Sequence, residues 1–214
     1  MSMIAKENGG TSIPNLADGV YTAISSMLID LGVQRNEKFD KDQRKFILIW
    51  NVVGETVKIG DLELPRTINK EYGFSLNEKS NLRKDLESWR GQAFTEEELR
   101  GFYLSNILNK GCQLQIINKE SNGKQYNNIA GIMALAKGMT VEQLPETIVF
   151  DMEEQESWNN YHKVPGWIKE KIKKAINFEE TGFNKYVEEY EKEHGEEEIP
   201  SYDKVMDSDD DLPF

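Results

Sequence analysis

Cations interleaved with aromatic side chains occur in two places in this 214-residue chain. A polar stretch, residues 32–43 with the residue that follows it, holds Arg35, Lys38, Phe39, Lys41 and Arg44. A later turn holds Lys119, Asn122 and Lys124, with Tyr126 just after it. Phosphates need counter-charge and unstacked bases need a flat apolar partner, so this mixture suits the binding of a single nucleic-acid strand. Between the two stretches, Trp50, Arg66, Lys70, Tyr72 and Phe74 are further candidates of the same two kinds. Several have a competing use. Trp50 lies inside the apolar run RKFILIWNVV, where a large aromatic residue suits a core better than a stacking platform, and Tyr72 and Phe74 alternate with Ile68 and share that ambiguity. Phe39 sits in a polar loop where no core demands an aromatic, which makes it the stronger stacking candidate. The loop cations are interspersed with Asp and Glu, and a charged loop is equally readable as solvated surface.

Other chemistries find less support. Asp30, Glu55, Asp61, Glu63 and Glu71 could hold a divalent ion for a metal-dependent nuclease, but their spacing fits no metal-binding motif. The single Cys112 excludes an internal disulfide, and His162 and His194 are too few for a structural zinc set. No catalytic residue, metal or cofactor is expected. The chain end, Asp209-Asp210-Asp211-Leu212-Pro213-Phe214, joins a carboxylate run to a terminal aromatic residue. Such an end can act as a docking peg, its Phe filling an apolar pocket rimmed by Lys or Arg on a partner protein. An alternative is that the acidic tail mimics DNA and the body binds only proteins.

The formal net charge of -12 would argue against a nucleic-acid partner if it were evenly spread. Residues 1–140 hold 18 Lys or Arg and 17 Asp or Glu, whereas residues 141–214 hold 8 and 21. The acidity belongs to the C-terminal third, and the nearly neutral body is free to present a basic groove. No apolar run approaches a membrane span and the first 18 residues lack a signal-peptide core, so a soluble, cytoplasmic protein is expected.

The elements that must position these residues follow from periodicity. Residues 19–31, 44–53 and 65–76 read as strands, the second apolar on both faces and closed by Gly54. Ser75 and Glu78 have capping-box spacing before a Leu82, Leu86, Trp89 stripe that ends at Gly91, and Thr95 with Glu98 repeats the box for a short second helix. Residues 111–117 and 125–133 flank Asn122-Gly123 as a hairpin. Three strands, a helical insert and a two-strand hairpin is the order of a five-stranded OB-fold barrel, giving a mainly β, α+β class with helices between strands 3 and 4. In that fold, nucleic acid lies across the second and third strands between the two loops named above.

Further along, residues 144–151 suggest an edge strand, and Val164-Pro165 opens a helix with Ile168, Ile172 and Ile176 inward and Lys169, Lys171, Lys173 and Lys174 outward. From residue 179 the chain has 14 Asp or Glu against 3 Lys, which predicts disorder with one transient helix around Phe183, Tyr186 and Tyr190. The expected organisation is a flexible N-terminus (1–18), a barrel domain (19–137), an extension with a basic helix (138–178) and a largely disordered acidic docking tail (179–214). Oligomeric state stays open, since the outer faces carry no interface signature.

The closing DDDLPF is similar to the acidic tip of bacterial and phage single-stranded DNA-binding proteins. That resemblance implies recruitment of replication and repair enzymes. The segments GVYTAISSMLIDLGVQ and INKEYGFSLNEKSNLRKDLESWRG, followed by FTEEEL, resemble a family of phage and prophage proteins associated with single-stranded DNA binding and replication. The resemblance covers about residues 19–135 and implies a non-enzymatic protein that coats exposed single-stranded DNA during replication or recombination in the bacterial host cytoplasm.

Overall fold

A computed structural model of the chain describes residues 13–36, 40–59, 61–121 and 123–195. The strands are β1 (Gly19–Asn36), β2 (Lys41–Ile59), β3 (Leu62–Gly73), β4 (Gly111–Ser121), β5 (Lys124–Met133) and the short β6 (Ile148–Phe150). The helices are α1 (Asn81–Arg90), α2 (Glu96–Arg100), α3 (Gly166–Lys173) and α4 (Phe183–His194), with 3-10 turns at Leu104–Ile107 and Gln155–Lys163. The protein is mainly β, built on a curled antiparallel sheet in the order β3-β2-β1-β4-β5. β1 shares one edge between two partners: β4 along Gly19–Ile24, then β6, in parallel, along Met27–Ile29. The handover falls at a bulge after Ser25, whose backbone bonds to Lys110 and Asn109 close the junction.

Strict alternation along β2 divides the interior in two. Phe46, Leu48, Trp50 and Val52 face one core with Ile68 and Tyr72 of β3, Leu114 and Ile116 of β4, and Ile129 and Ile132 of β5. Helix α1 lays its Leu82, Leu86 and Trp89 stripe on this core, and the Trp89 indole N–H donates to the Gly111 carbonyl at 2.9 Å. Ile47 and Ile49 point the other way, with Ile29 and Leu31 of β1, into a second core completed by Phe150, Met152, Tyr161, Ile168, Ile172 and Phe183. The curled sheet brings β3 toward β5 through side chains: Lys70 Nζ donates to the Ile129 carbonyl at 3.3 Å and Arg66 Nη2 to Asn127 Oδ1 at 3.3 Å.

Several elements differ from the sequence expectation. Residues 32–43 are mostly paired, because β1 runs on to Asn36 opposite Lys41 after a bulge between Asp30 and Gly32 resets the alternation. Gly32 has φ 68°, and a Cβ there would lie 2.7 Å from the Ala175 Cβ, so both backbone conformation and close packing favour glycine. β2 does not stop at Gly54 but passes through a third bulge to Ile59, which gives β2 and β3 a projecting hairpin with Val57, Ile59, Leu62 and Leu64 on one side. β3 correspondingly begins at Leu62 and ends at Gly73 rather than spanning 65–76.

Helix α1 is capped by Ser80, whose Oγ accepts from Arg83 N at 3.2 Å; Ser75 instead accepts from Asn77 N in the preceding turn. The second box, Thr95 with Glu98, forms as expected. The Thr95 N–H and then Arg90 hold the Glu98 carboxyl below its ordinary value.

The C-terminal region departs furthest. The strand expected within 144–151 forms as β6, which pairs in parallel with the central β1 and with no other described strand. In α3, Ile168 and Ile172 are buried, but Ile176, beyond the helix end, is 51 % exposed. Lys169 turns inward, its ammonium 4.9 Å from the Tyr161 ring and 5.3 Å from the Tyr190 ring, where cation-π contact replaces part of its hydration. The order continues past residue 178: α4 packs Phe183 and Val187 into the second core, among the rings of Phe150, Trp158 and Tyr161. At the other end, Leu16 is buried and backbone-paired to the Asn127 amide, so the chain is fastened before β1 begins.

One buried carboxylate joins the two layers. Asp30 accepts from Arg44, from the Gly32 N–H and from the Met152 N–H. Arg44 also pairs with Asp151 and Glu153. Burial pushes the Asp30 carboxyl above its ordinary value of 3.8, with Arg44 opposing the rise. The folded state therefore holds that proton more tightly, so this group favours folding in acid and that contribution is lost as pH rises from the unfolded value through the folded one. Arg44→Met strands the charge and is expected to cost about 3 kcal/mol at neutral pH, with the deficit shrinking in acid as the still higher Asp30 value lets the group protonate. Urea denaturation of both proteins from acid to neutral pH checks this, and a deficit independent of pH would assign the loss elsewhere.

Candidate functional site

A cleft of about 450 Å³ opens where the ends of several elements meet. The β1 and β2 hairpin forms one side with Arg35, Asn36, Gln43 and Lys45; β3 forms the floor from Asn69 to Gly73. The approach to α1 supplies Lys79 to Leu82, β5 supplies Asn127 to Ile129, and α3 contributes Lys171. Among the described residues the lining holds five cations, Arg35, Lys45, Lys70, Lys79 and Lys171, against a single carboxylate, Glu71. In a chain of net charge -12 this is a strong local inversion of sign.

The cations are not equivalent. Lys70 is held by Asp85 at 3.0 Å, and the same carboxylate accepts from the Tyr72 hydroxyl at 2.8 Å. Glu71 lies between Lys171, with which it pairs closely, and Lys45 at 4.0 Å. Arg35 pairs with Asp40 and, at 2.9 Å, with Asp42. Lys79 is exposed and has no ion-pair partner among the described residues. The cleft thus offers one uncommitted cation and two lysines that share one acid. Amide side chains fill much of the remaining wall, among them Gln34, Gln43, Asn69, Asn81 and Asn128.

Of the residues singled out in the sequence, Arg35, Lys70 and Tyr72 reach this cleft. Lys41 is exposed nearby on the hairpin, opposite Asn36. Lys38, Phe39, Asn122 and the tip Asp209 to Phe214 lie outside the described residues. Arg44 is committed to Asp30, Asp151 and Glu153. Trp50 is fully buried against Trp89, and Arg66 is buried beside Asn127, so both serve the interior. Phe74 is 45 % exposed, with its ring 4.8 Å from that of Phe46 and 5.0 Å from the Arg44 guanidinium. Lys119 faces Tyr126 across the β4 and β5 hairpin, with Lys124 exposed near its turn.

The outer side of β2, one of the two strands expected to carry a ligand, is covered along Ile47 and Ile49 by the C-terminal layer. Open surface therefore shifts toward β3 and its seam with β5. Gln43, Lys45, Asn81 and Asn128 are site residues that sequence reasoning missed. Lys171 stood out only as an outward lysine of a basic helix, and its place beside Glu71 arises from packing across 100 residues of chain.

Asp30, Glu55, Asp61, Glu63 and Glu71 do not converge, and no group of three or more His, Cys, Asp or Glu among the described residues could hold a metal ion. Cys112 is buried, and burial pushes its thiol far above the ordinary value, which keeps it protonated and unreactive. Among the described residues no helix is long and apolar enough to cross a membrane. No protein-family model matches the chain, and comparison with curated proteins gives no match.

The Lys70, Asp85 and Tyr72 contacts tie β3 to α1 beneath the cleft. Tyr72→Phe removes a hydroxyl donated to a charged acceptor and should lower stability by about 1.5 kcal/mol. Thermal or urea unfolding measures this, and an unchanged midpoint would mean that the hydroxyl is dispensable to the floor.

Proposed function

We propose that this protein is a non-enzymatic single-stranded DNA-binding protein that holds exposed strand in the cationic, amide-lined cleft. The observation that carries the reading is the gathering of Arg35, Lys45, Lys70, Lys79 and Lys171 into one cleft of an acidic chain. The fold reading agrees with it. The order β3-β2-β1-β4-β5, with α1 between β3 and β4, is compatible with an OB-type barrel, a fold whose ligand surface lies across its second and third strands, bounded by the β1–β2 and β4–β5 hairpins. The cleft occupies that neighbourhood, displaced to the β3 and β5 side by the layer covering β2.

The mechanism is equilibrium binding without turnover. Lys45, Lys79 and Lys171 supply counter-charge to successive phosphates, and release of condensed cations from the strand drives association. Phe74, exposed next to the cleft-lining Gly73 and Ser75, is the candidate platform for a neighbouring base. A strand held in this way is kept from pairing and from degradation. The setting we infer is phage-type replication or recombination, with partner enzymes recruited by Asp209, Asp210, Asp211, Leu212, Pro213 and Phe214, whose high local concentration near bound DNA replaces any need for tight docking.

Titration of a fluorescent poly-dT oligonucleotide tests the reading. Binding is expected to weaken steeply with salt, with a log-log slope of about -2 to -3 for roughly four phosphate contacts. Lys79→Glu should weaken it by about tenfold at low salt, since it reverses an uncommitted charge. Absence of binding at low salt by the full chain and by a chain lacking residues 208–214 would end the proposal.

The acidic tip supplies a second check. If it competes with DNA for the cleft, its removal tightens binding at low salt and leaves it about equal at high salt, where the competition is screened. Equal affinities at both salt concentrations would rule the competition out.

A further inference from the structure

We propose that the cleft seats one nucleotide and reads its base by hydrogen bonds from Gln43, with Asn81 and Asn128, in favour of adenine. This rests on the nucleic-acid reading above and adds to it a base preference that a strand-coating role does not require.

The first observation is Gly73. It is the last residue of β3, and it is not among the glycines with positive φ, so its backbone conformation does not call for glycine. Space does. A Cβ at this position would lie 1.9 Å from Gln43 Nε2 and 2.7 Å from Gln43 Cδ. A glycine in a strand forgoes side-chain packing and costs backbone entropy, and it commonly marks a close approach. Here the approaching group is the amide of a residue that itself lines the cleft. The missing side chain at Gly73 gives the Gln43 amide its seat.

The second observation is what these amides do not do. Gln34 donates to the Leu31 and Lys171 carbonyls, and Asn127 is occupied by Leu16, Asn118 and Arg66. Gln43, Asn81 and Asn128 form no side-chain hydrogen bond with another described residue. Three amides with unused donors and acceptors thus come from β2, from the start of α1 and from β5 to one cleft. Such groups are under-used as scaffolding and well placed for a ligand that presents donors and acceptors side by side.

The third observation is that, among the described residues, the cleft offers no ring to stack on. Tyr72 is the sole described aromatic residue in its lining, and that side chain is buried with its hydroxyl on Asp85. A base entering here is recognised by its edge rather than by its face. An amide offers a donor and an acceptor in one plane, and adenine presents the complement at N6 and N7 and again at N6 and N1. The volume of about 450 Å³ is within the range of pockets for one small ligand, and Lys45 and Lys79 on its margin can take the phosphate.

The test is a set of anisotropy titrations of labelled dA, dT and dC oligonucleotides of equal length at one salt concentration. The expected result is that dA binds about fivefold or more tightly than dT and dC, from one amide pairing worth the low end of base discrimination. Binding by stacking and backbone contact alone would follow stacking strength and strand flexibility and owe nothing to Gln43. Gly73→Ala displaces the end of one long side chain, and Gln43→Ala removes it; in both, the dA to dT ratio should fall to within about twofold. Asn128→Ala is a third variant with no glycine involved, and circular dichroism with urea midpoints confirms that each is folded. Equal dA and dT affinities in the native protein, a preference for dT or dC, or a dA preference unchanged in the folded variants would each overturn the inference while leaving the coating role intact. Failure of every oligonucleotide to bind at low salt would overturn both.

Discussion

The central strand β2 is apolar at consecutive positions, so it can be stable only if both of its faces are kept from water. Phe46, Leu48 and Trp50 drain into one core while Ile47 and Ile49 drain into the other. A single sheet rolled around one core would satisfy the first set and leave the second in solvent. The chain meets the demand with two different covers: the closed-in sheet with α1 on one side, and a C-terminal layer of 3-10 turn, α3 and α4 on the other. Burial of each large apolar side chain contributes roughly 1.5–3 kcal/mol, so the second cover is as necessary to the fold as the first.

That constraint also sets where a ligand can go. With the outer side of β2 covered, the open polar surface is left where the covers stop, at the ends of β1 and β2, along β3 and beside β5. The cleft is a product of this boundary: its cations come from the central hairpin, the floor strand, the approach to α1 and the covering helix α3. Asp30 and Arg44 lie close to the same boundary and connect β1, β2 and the residues after β6. Burial makes an ionised Asp30 expensive, and a full set of donors offsets that cost only in one arrangement of the layers. A cation drawn into such a junction is unavailable to phosphate, which is why an arginine in a promising loop ended as a structural residue.

The amphipathic signals were legible in the sequence. The Leu82, Leu86 and Trp89 stripe, the Thr95 and Glu98 box and the hairpin around Gly123 depend on neighbours within a few residues, and each forms. The apolar run at 46–50 also announced burial on both faces. What it could not announce was the covering partner, because α4 is written in an acidic segment whose composition resembles that of a solvated tail. Its Phe183, Tyr186 and Tyr190 sit at helical spacing and outweigh the surrounding Glu by packing on Tyr161 and Trp158. The site was less legible than the fold. Cation and aromatic types could be picked out as candidates, but Trp50, Arg66 and Arg44 are consumed by the interior, while Gln43 and Lys171 acquire their positions only from tertiary packing.

Charge distribution gives the cleft its character. Residues 196–214 hold eight carboxylates and one lysine, and much of the folded C-terminal layer is acidic as well. On the proposed reading, a nucleic-acid strand beyond a Debye length of about 8 Å would meet a molecule whose net charge repels it, so long-range steering would contribute little to encounter. Within that distance the proposed strand would meet Lys79, Lys45 and Lys171, with Glu71 alone opposing among the described lining residues. Attraction of this kind is confined to groups that make contact. Such a surface disfavours diffuse adsorption of polyanions, and in the proposed complex it would leave a larger share of the binding free energy to short-range hydrogen bonds such as those from the Gln43 amide seated over Gly73.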